Sequence, residues 1–168
     1  MLTSLHDVVE RYYAPVNRDE SSEDPLIDLS DRDYARLAEL RHALRAFLRW
    51  SGDEARRAGV TPAQHQLLLT IRAEPRPGGP TVGEVAHSLL IRHHSAVELA
   101  DRAQDAGLIT RHRDSEQHSV VRLRLTARGQ QMLQQLSQTH VRELQQLAPA
   151  MLALWPDPGG SAAGSPSV

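Results

Sequence analysis

Between Thr81 and Gly129 the hydrophobic period of the chain changes twice, and this constrains the fold more tightly than any other feature. Thr81-Val82-Gly83-Glu84 is a capping box, in which the Thr hydroxyl and the Glu carboxylate satisfy each other's backbone amides. It predicts a short helix from Val82 to about Ser88, with Val85 and Ala86 inward. A brief connection, Leu89-Leu90-Ile91, leads to a second helix from about Arg92 to Ala106, lined by Val97, Ala100 and Ala103. Gly107 is the expected C-cap, and Leu108 beyond it is expected to pack back on the helix. The period then drops to two. Val121, Leu123 and Leu125 alternate with Arg122 and Arg124, the pattern of a half-buried strand. Ile109–Arg113 is the expected partner strand, and the polar run 114–119 is the turn between them. Thr126 restores the helical period. It caps a long helix carrying Leu133, Leu136, Leu144, Leu147, Met151 and Leu152, which Pro149 is expected to kink or interrupt.

Upstream, Tyr34, Leu37, Leu40, Leu44, Phe47 and Leu48 recur at steps of mostly three and four, an amphipathic helix. Ser30 is its N-cap, with Asp31 and Asp33 well placed in the first turn. That helix should end between Gly52 and Gly59. Thr61-Pro62-Ala63-Gln64 starts another, with proline at the first helical position. It carries Leu67, Leu68, Leu69 and Ile71 and stops before the Pro-Gly cluster 75–80.

The fold class that follows is mainly α with a small β-hairpin: a winged helix-turn-helix flanked by N- and C-terminal dimerisation helices. The expected organisation is an acidic extension or linker at 1–29, a domain at 30–155 with its reading head at 81–129, and a disordered tail at 156–168. Residues 1–13 are a short amphipathic helix in this reading, and 14–25 a linker. Tyr34, Trp50 and Trp155 are assigned to core or interface packing in preference to a ligand cavity. Two terminal apolar stripes in one small domain expose more surface than a monomer covers, so a homodimer is expected.

Charge distribution agrees with a nucleic-acid partner although the net charge is −2. Residues 1–30 hold seven acids against two arginines, a local charge of −5 that leaves +3 elsewhere. Five arginines face two acids between Leu108 and Arg128, and phosphate affinity follows local charge. All 19 basic residues are arginine, a permanently charged fork suited to phosphate. In this fold the second helix enters the major groove and the hairpin, or wing, follows the duplex. The candidate DNA-binding residues are Arg92, His93, His94, Ser95, Glu98 and Arg102 on the helix, and Arg111, Arg113, His118, Arg122 and Arg124 on the wing. An inert exposed pair is the competing reading of His93-His94. A metal site is disfavoured there, because adjacent helical residues point about 100° apart. Arg102 has an alternative role, pairing with Glu98 or Asp105 on its own helix.

The stretch Thr81–Leu133 resembles MarR-type regulators. The resemblance rests on Thr81-Val82-Gly83-Glu84-Val85-Ala86, on Ile91–Arg102, on Ala106-Gly107-Leu108-Ile109 with Arg111, and on Val121–Gly129, and it extends over roughly 31–155. It implies a homodimeric transcription regulator, a repressor on a pseudo-palindromic site of double-stranded DNA, with a small-molecule effector as a further partner. Two positions depart from the family pattern. Its wing tip carries Arg where this chain has Glu116-Gln117-His118-Ser119, with His118 as a weaker, pH-dependent substitute. Its recognition helix carries Thr-Arg where this chain has Val97-Glu98, and a glutamate there repels phosphate but can accept from a cytosine amino group. The alternative is a winged-helix interaction module or antagonist with weakened DNA binding.

An enzyme is not expected, since there is no Gly-rich phosphate loop, GxSxG, HExxH or cysteine. No cofactor or metal is expected. The absence of cysteine suits a reducing compartment, no apolar run reaches the roughly 18–20 residues of a membrane span, and the start lacks a signal-peptide pattern. A cytoplasmic location without membrane contact is therefore expected.

Overall fold

A computed structural model of the chain describes residues 28–114 and 117–154. The expected helix 1–13, the linker 14–25, Glu116, Trp155 and the tail 156–168 lie outside the described residues. The chain divides into two compact units, 1–34 and 35–168. In the first, Ser30 caps as predicted: its amide donates to Asp33 Oδ2 at 3.0 Å, and its carbonyl accepts the Asp33 amide at 2.9 Å.

Among the described residues seven elements follow in order. Helix α1 spans Asp31–Arg57 and ends within the expected Gly52–Gly59 window. Helix α2, Pro62–Ala73, begins at the Thr61 capping box, where the Gln64 amide donates to Thr61 Oγ1 at 3.2 Å and the Thr61 amide donates to Gln64 Oε1 at 2.9 Å. Helices α3, Val82–Ser88, and α4, His93–Asp105, form the helix-turn-helix pair. Strands β1, Ile109–Arg113, and β2, Val121–Leu125, pair antiparallel with Ile109 opposite Leu125 and Arg113 opposite Val121. Helix α5, Ala127–Leu154, is the last of the described elements.

The core lies where α2, α3, α4, β2 and α5 converge. Leu67, Leu68, Val85, Leu108, Ile109 and Leu123 are its largest fully buried aliphatic residues. Gly107 adopts φ +68° and lets the Leu108 amide reach the Ala103 carbonyl at 2.9 Å, so Leu108 folds back into the core as expected. Gly129 has a different reason to be glycine. A Cβ there would lie 2.0 Å from the Leu108 carbonyl oxygen, so side-chain-free backbone is what lets α5 dock on the end of α4. Thr126 fixes the same junction, donating its hydroxyl to the Gly107 carbonyl at 2.7 Å and accepting the Gly129 amide at 3.0 Å.

Two expectations change. Arg92 is the N-cap, not the first helical residue, and its side chain makes no capping bond. Pro149 does not interrupt α5, which continues to Leu154; its missing amide removes one bond near the end of a long helix, where few further bonds depend on it. The hairpin also gains a third partner that no alternation in the sequence announces. Thr81 bridges Arg122, and the Leu123 amide donates to the Pro80 carbonyl at 2.8 Å. Gly79, at φ +78°, permits this approach, since a Cβ there would meet the Leu123 carbonyl oxygen at 2.1 Å.

Candidate nucleic-acid interface

Helix α4 has a strict division of faces. Ala96, Leu99, Ala100 and Ala103 are buried against the body, while His93, His94, Glu98, Asp101, Arg102 and Asp105 are exposed. Ser95 is half-buried and Arg92 is exposed at the helix entrance. The turn before it is unusual. Leu90 has φ +54° and is 80% exposed, and the Ile91 amide closes the turn on the Ala86 carbonyl at 3.0 Å. Arg92, His93, His94, Glu98 and Arg102 are thus all accessible, with His94, Glu98 and Arg102 aligned in one i, i+4 row of the helix.

The wing arginines divide into two kinds. Arg113 and Arg124 are exposed, and Arg124 donates to the Pro77 carbonyl at 3.3 Å. Arg111 is half-buried between wing and helix. Its guanidinium pairs with Asp101 at 2.7 Å and donates to Gln104 Oε1 at 3.2 Å and to the Val97 carbonyl at 3.5 Å. Arg122 is more enclosed, with its side chain 14% exposed. It pairs with Asp114, donates to the Gly79 carbonyl at 3.1 Å and lies 3.8 Å from Glu84. Sequence alternation puts Arg122 and Arg124 on the same side of β2, yet only Arg124 keeps an exposed side chain. The Gly78–Gly79 turn packs over Arg122: a Cβ on Gly78 would come 2.6 Å from its Cδ.

Arg122 belongs to a chain of charges that sequence reading missed. Glu74 accepts from Arg76 at 2.7 Å, Arg76 reaches Glu84 at 2.6 Å, and Glu84 leads through Arg122 to Asp114. Glu84 also closes the α3 capping box, accepting the Thr81 amide at 2.7 Å. The Arg76 hydrogen bond holds the Glu74 carboxyl below the usual carboxylate range. Burial raises the Glu84 carboxyl, but the Thr81 amide and Arg76 outweigh it and bring it below that range. These pairs join the loop after α2, the start of α3, strand β2 and the turn that follows β1. The capping Glu was legible in the sequence; its second role was not.

At the wing tip, His118 is exposed and Asp114 Oδ1 accepts the Gln117 amide at 3.0 Å, forming the turn. No described residue at the tip is an arginine.

Trp50, His65 and His140 pack together. His140 is 4.7 Å from His65 and 5.0 Å from Trp50 between ring centroids, and its Nε2 lies 2.6 Å from Ser51 Oγ. Trp50 is thus used in packing. Tyr34 is exposed in the first unit. Among the described residues no group of three or more His, Asp or Glu is placed to hold a metal ion, and no helix is long and apolar enough to cross a membrane.

Comparison with known proteins agrees with this architecture. Residues 58–118 match the model of the MarR family. A MarR family protein from Bacillus stearothermophilus is 27% identical, with 77% of this chain and 86% of that chain covered and a TM-score of 0.60. A MarR family transcription regulator is 23% identical over 71% of this chain and 78% of its own, with a TM-score of 0.62. A mutant S. aureus MepR bound to an oligodeoxyribonucleotide is 17% identical over 73% and 84%, with a TM-score of 0.56. No curated protein matches. The fold is the MarR-type winged helix, as the sequence resemblance implies.

Proposed function

With a MarR-type winged helix as premise, we propose that this chain is a dimeric, sequence-specific DNA-binding transcription regulator, a repressor on a pseudo-palindromic site. The observation that carries the reading is the exposure of Arg92 and His93 at the entrance of α4 and of the His94, Glu98 and Arg102 row along it, beside a wing whose Arg113 and Arg124 stay exposed. Helix α4 enters the major groove, and Arg92, Arg113 and Arg124 contact phosphate. Arg122 and Arg111 act differently from the other wing arginines: their guanidinia are already engaged by Asp114 and Asp101, so they hold the wing in place.

Apolar side chains that one chain leaves uncovered support dimerisation. Leu48 on α1 is 62% exposed and Val141 on α5 is 51% exposed, with Leu44 and Leu144 beside them in the helical repeat. A second copy covers these faces and sets two α4 helices on one duplex. A small molecule that alters this arrangement is the expected effector.

Binding of purified protein to duplexes from upstream of its own gene tests the reading. Three phosphate-contacting arginines per chain make six in a dimer, which gives a log–log salt slope of about −5 and roughly a thousandfold loss of affinity between 50 and 200 mM salt. Absence of any sequence preference on those duplexes would overturn it.

The acids on the outer face of α4, Glu98, Asp101 and Asp105, favour a second reading, a winged-helix interaction module that antagonises a DNA binder. Replacing Arg113 and Arg124 with alanine discriminates. Reporter regulation that survives the double substitution supports the module.

A further inference from the structure

The acidic centre of α4 has a specific chemical consequence. Glu98 lies in the second turn of the helix, on the face opposite the buried Ala96, Leu99, Ala100 and Ala103. Its side chain is 65% exposed, and its contact with Arg102 is long, 3.7 Å, between two exposed groups. Asp101, the next acid along, is differently placed, because Arg111 holds it at 2.7 Å. Glu98 is therefore a carboxylate that can turn toward a ligand, one turn beyond His94 on the same exposed surface.

A carboxylate is a poor partner for DNA unless it meets a hydrogen-bond donor. On the floor of the major groove only two bases present one, cytosine through its 4-amino group and adenine through its 6-amino group. Guanine and thymine offer acceptors there, which repel it. Adenine places its N7 acceptor beside the donor, so a carboxylate approaching that edge meets a lone pair. Within its own ring the neighbour of the cytosine amino group is a C–H. In the duplex the cytosine amino group has one neighbouring acceptor, the O6 of its paired guanine, whereas the adenine amino group has two, its own N7 and the thymine O4, so cytosine is the base that best suits an ionised glutamate.

We propose that Glu98 is the specificity-determining residue of the reading helix and that it selects a cytosine in each half-site. This rests on the DNA-binding reading above and adds to it the base chemistry of the target. The unfavourable approach of a carboxylate to phosphate is offset only on sites that supply the amino group. The same residue that weakens non-specific binding therefore sharpens choice.

Selection from a random duplex pool with the full chain, followed by sequencing, tests this for the native protein, Glu98→Gln and Glu98→Ala. The native protein is expected to enrich a motif with one cytosine position per half-site that Glu98→Ala leaves unspecified. Glu98→Gln should change that position to adenine, since an amide both accepts from the 6-amino group and donates to N7. Replacing the cytosine in the selected site should weaken native binding on the order of tenfold to a hundredfold and leave Glu98→Ala nearly indifferent. The gain of adenine preference is a result that mere loss of structure does not produce. A motif identical for all three proteins overturns the assignment of Glu98 while leaving DNA binding intact. No motif for the native protein overturns both.

Discussion

Replacing His65 with leucine should remove an acid sensitivity that this one residue imposes on folding. The His65 ring is 1% exposed, and its Nε2 has no hydrogen-bond partner among the described residues. Its pKa is pushed from 6.5 down to about 4, first by burial and second by repulsion from His140. The folded chain therefore holds a neutral imidazole at a pH where the unfolded chain already binds a proton. The stabilisation is complete above pH 6.5 and is lost as pH falls toward 4, because the unfolded state gains its proton first. At about 1.4 kcal/mol per pH unit the whole window amounts to roughly 3 kcal/mol. Between pH 7 and pH 5 the native chain loses about 2 kcal/mol through His65 alone. His65→Leu has no such titration, so its stability relative to the native chain should improve by that amount over the same interval. Urea unfolding of both proteins at pH 7 and pH 5 measures it. Glu74 and Glu84, both held below their ordinary value of 4.5, contribute stability that is lost only below that range, and they cancel in the comparison. A stability difference that is equal at the two pH values would refute the burial argument.

Two further substitutions probe the wing and its docking. Gly129→Ala improves helix propensity by about 1 kcal/mol, but it drives a Cβ to 2.0 Å from the Leu108 carbonyl oxygen, which also accepts the Thr126 amide. Overpacking of this kind costs roughly 1–3 kcal/mol, so a lowered melting temperature is expected and an unchanged or raised one contradicts the close approach. Arg122→Met keeps the side-chain stem but leaves Asp114 and Glu84 without its guanidinium. A loss of about 3 kcal/mol is expected, the range for breaking an enclosed ion pair, with faster amide exchange in 121–125. Exchange that is unchanged in β2 would show that the charge chain does not hold the wing.

Local features of this protein were legible from its sequence because they are decided within a few residues. The Thr61 and Thr81 capping boxes, the Ser30 and Thr126 caps and the Gly107 turn each satisfy backbone groups three or four positions away. Alternation in 121–125 identified a strand with Leu123 inward. Element order then followed, and with it the fold. Alternation assigned Arg122 and Arg124 the same role, as it must when it carries no information beyond period. Tertiary structure separated them, because the Gly78–Gly79 turn, 43 residues away from Arg122 at the Gly79 carbonyl, comes down on one and leaves the other exposed. The same holds for His65, an unremarkable polar residue in its helix until α5 brings His140 against it. Period and capping determined the helix-turn-helix and hairpin of 81–129; which of their charged groups face outward was decided by the approach of segments distant in the chain, where desolvation and ion pairing act.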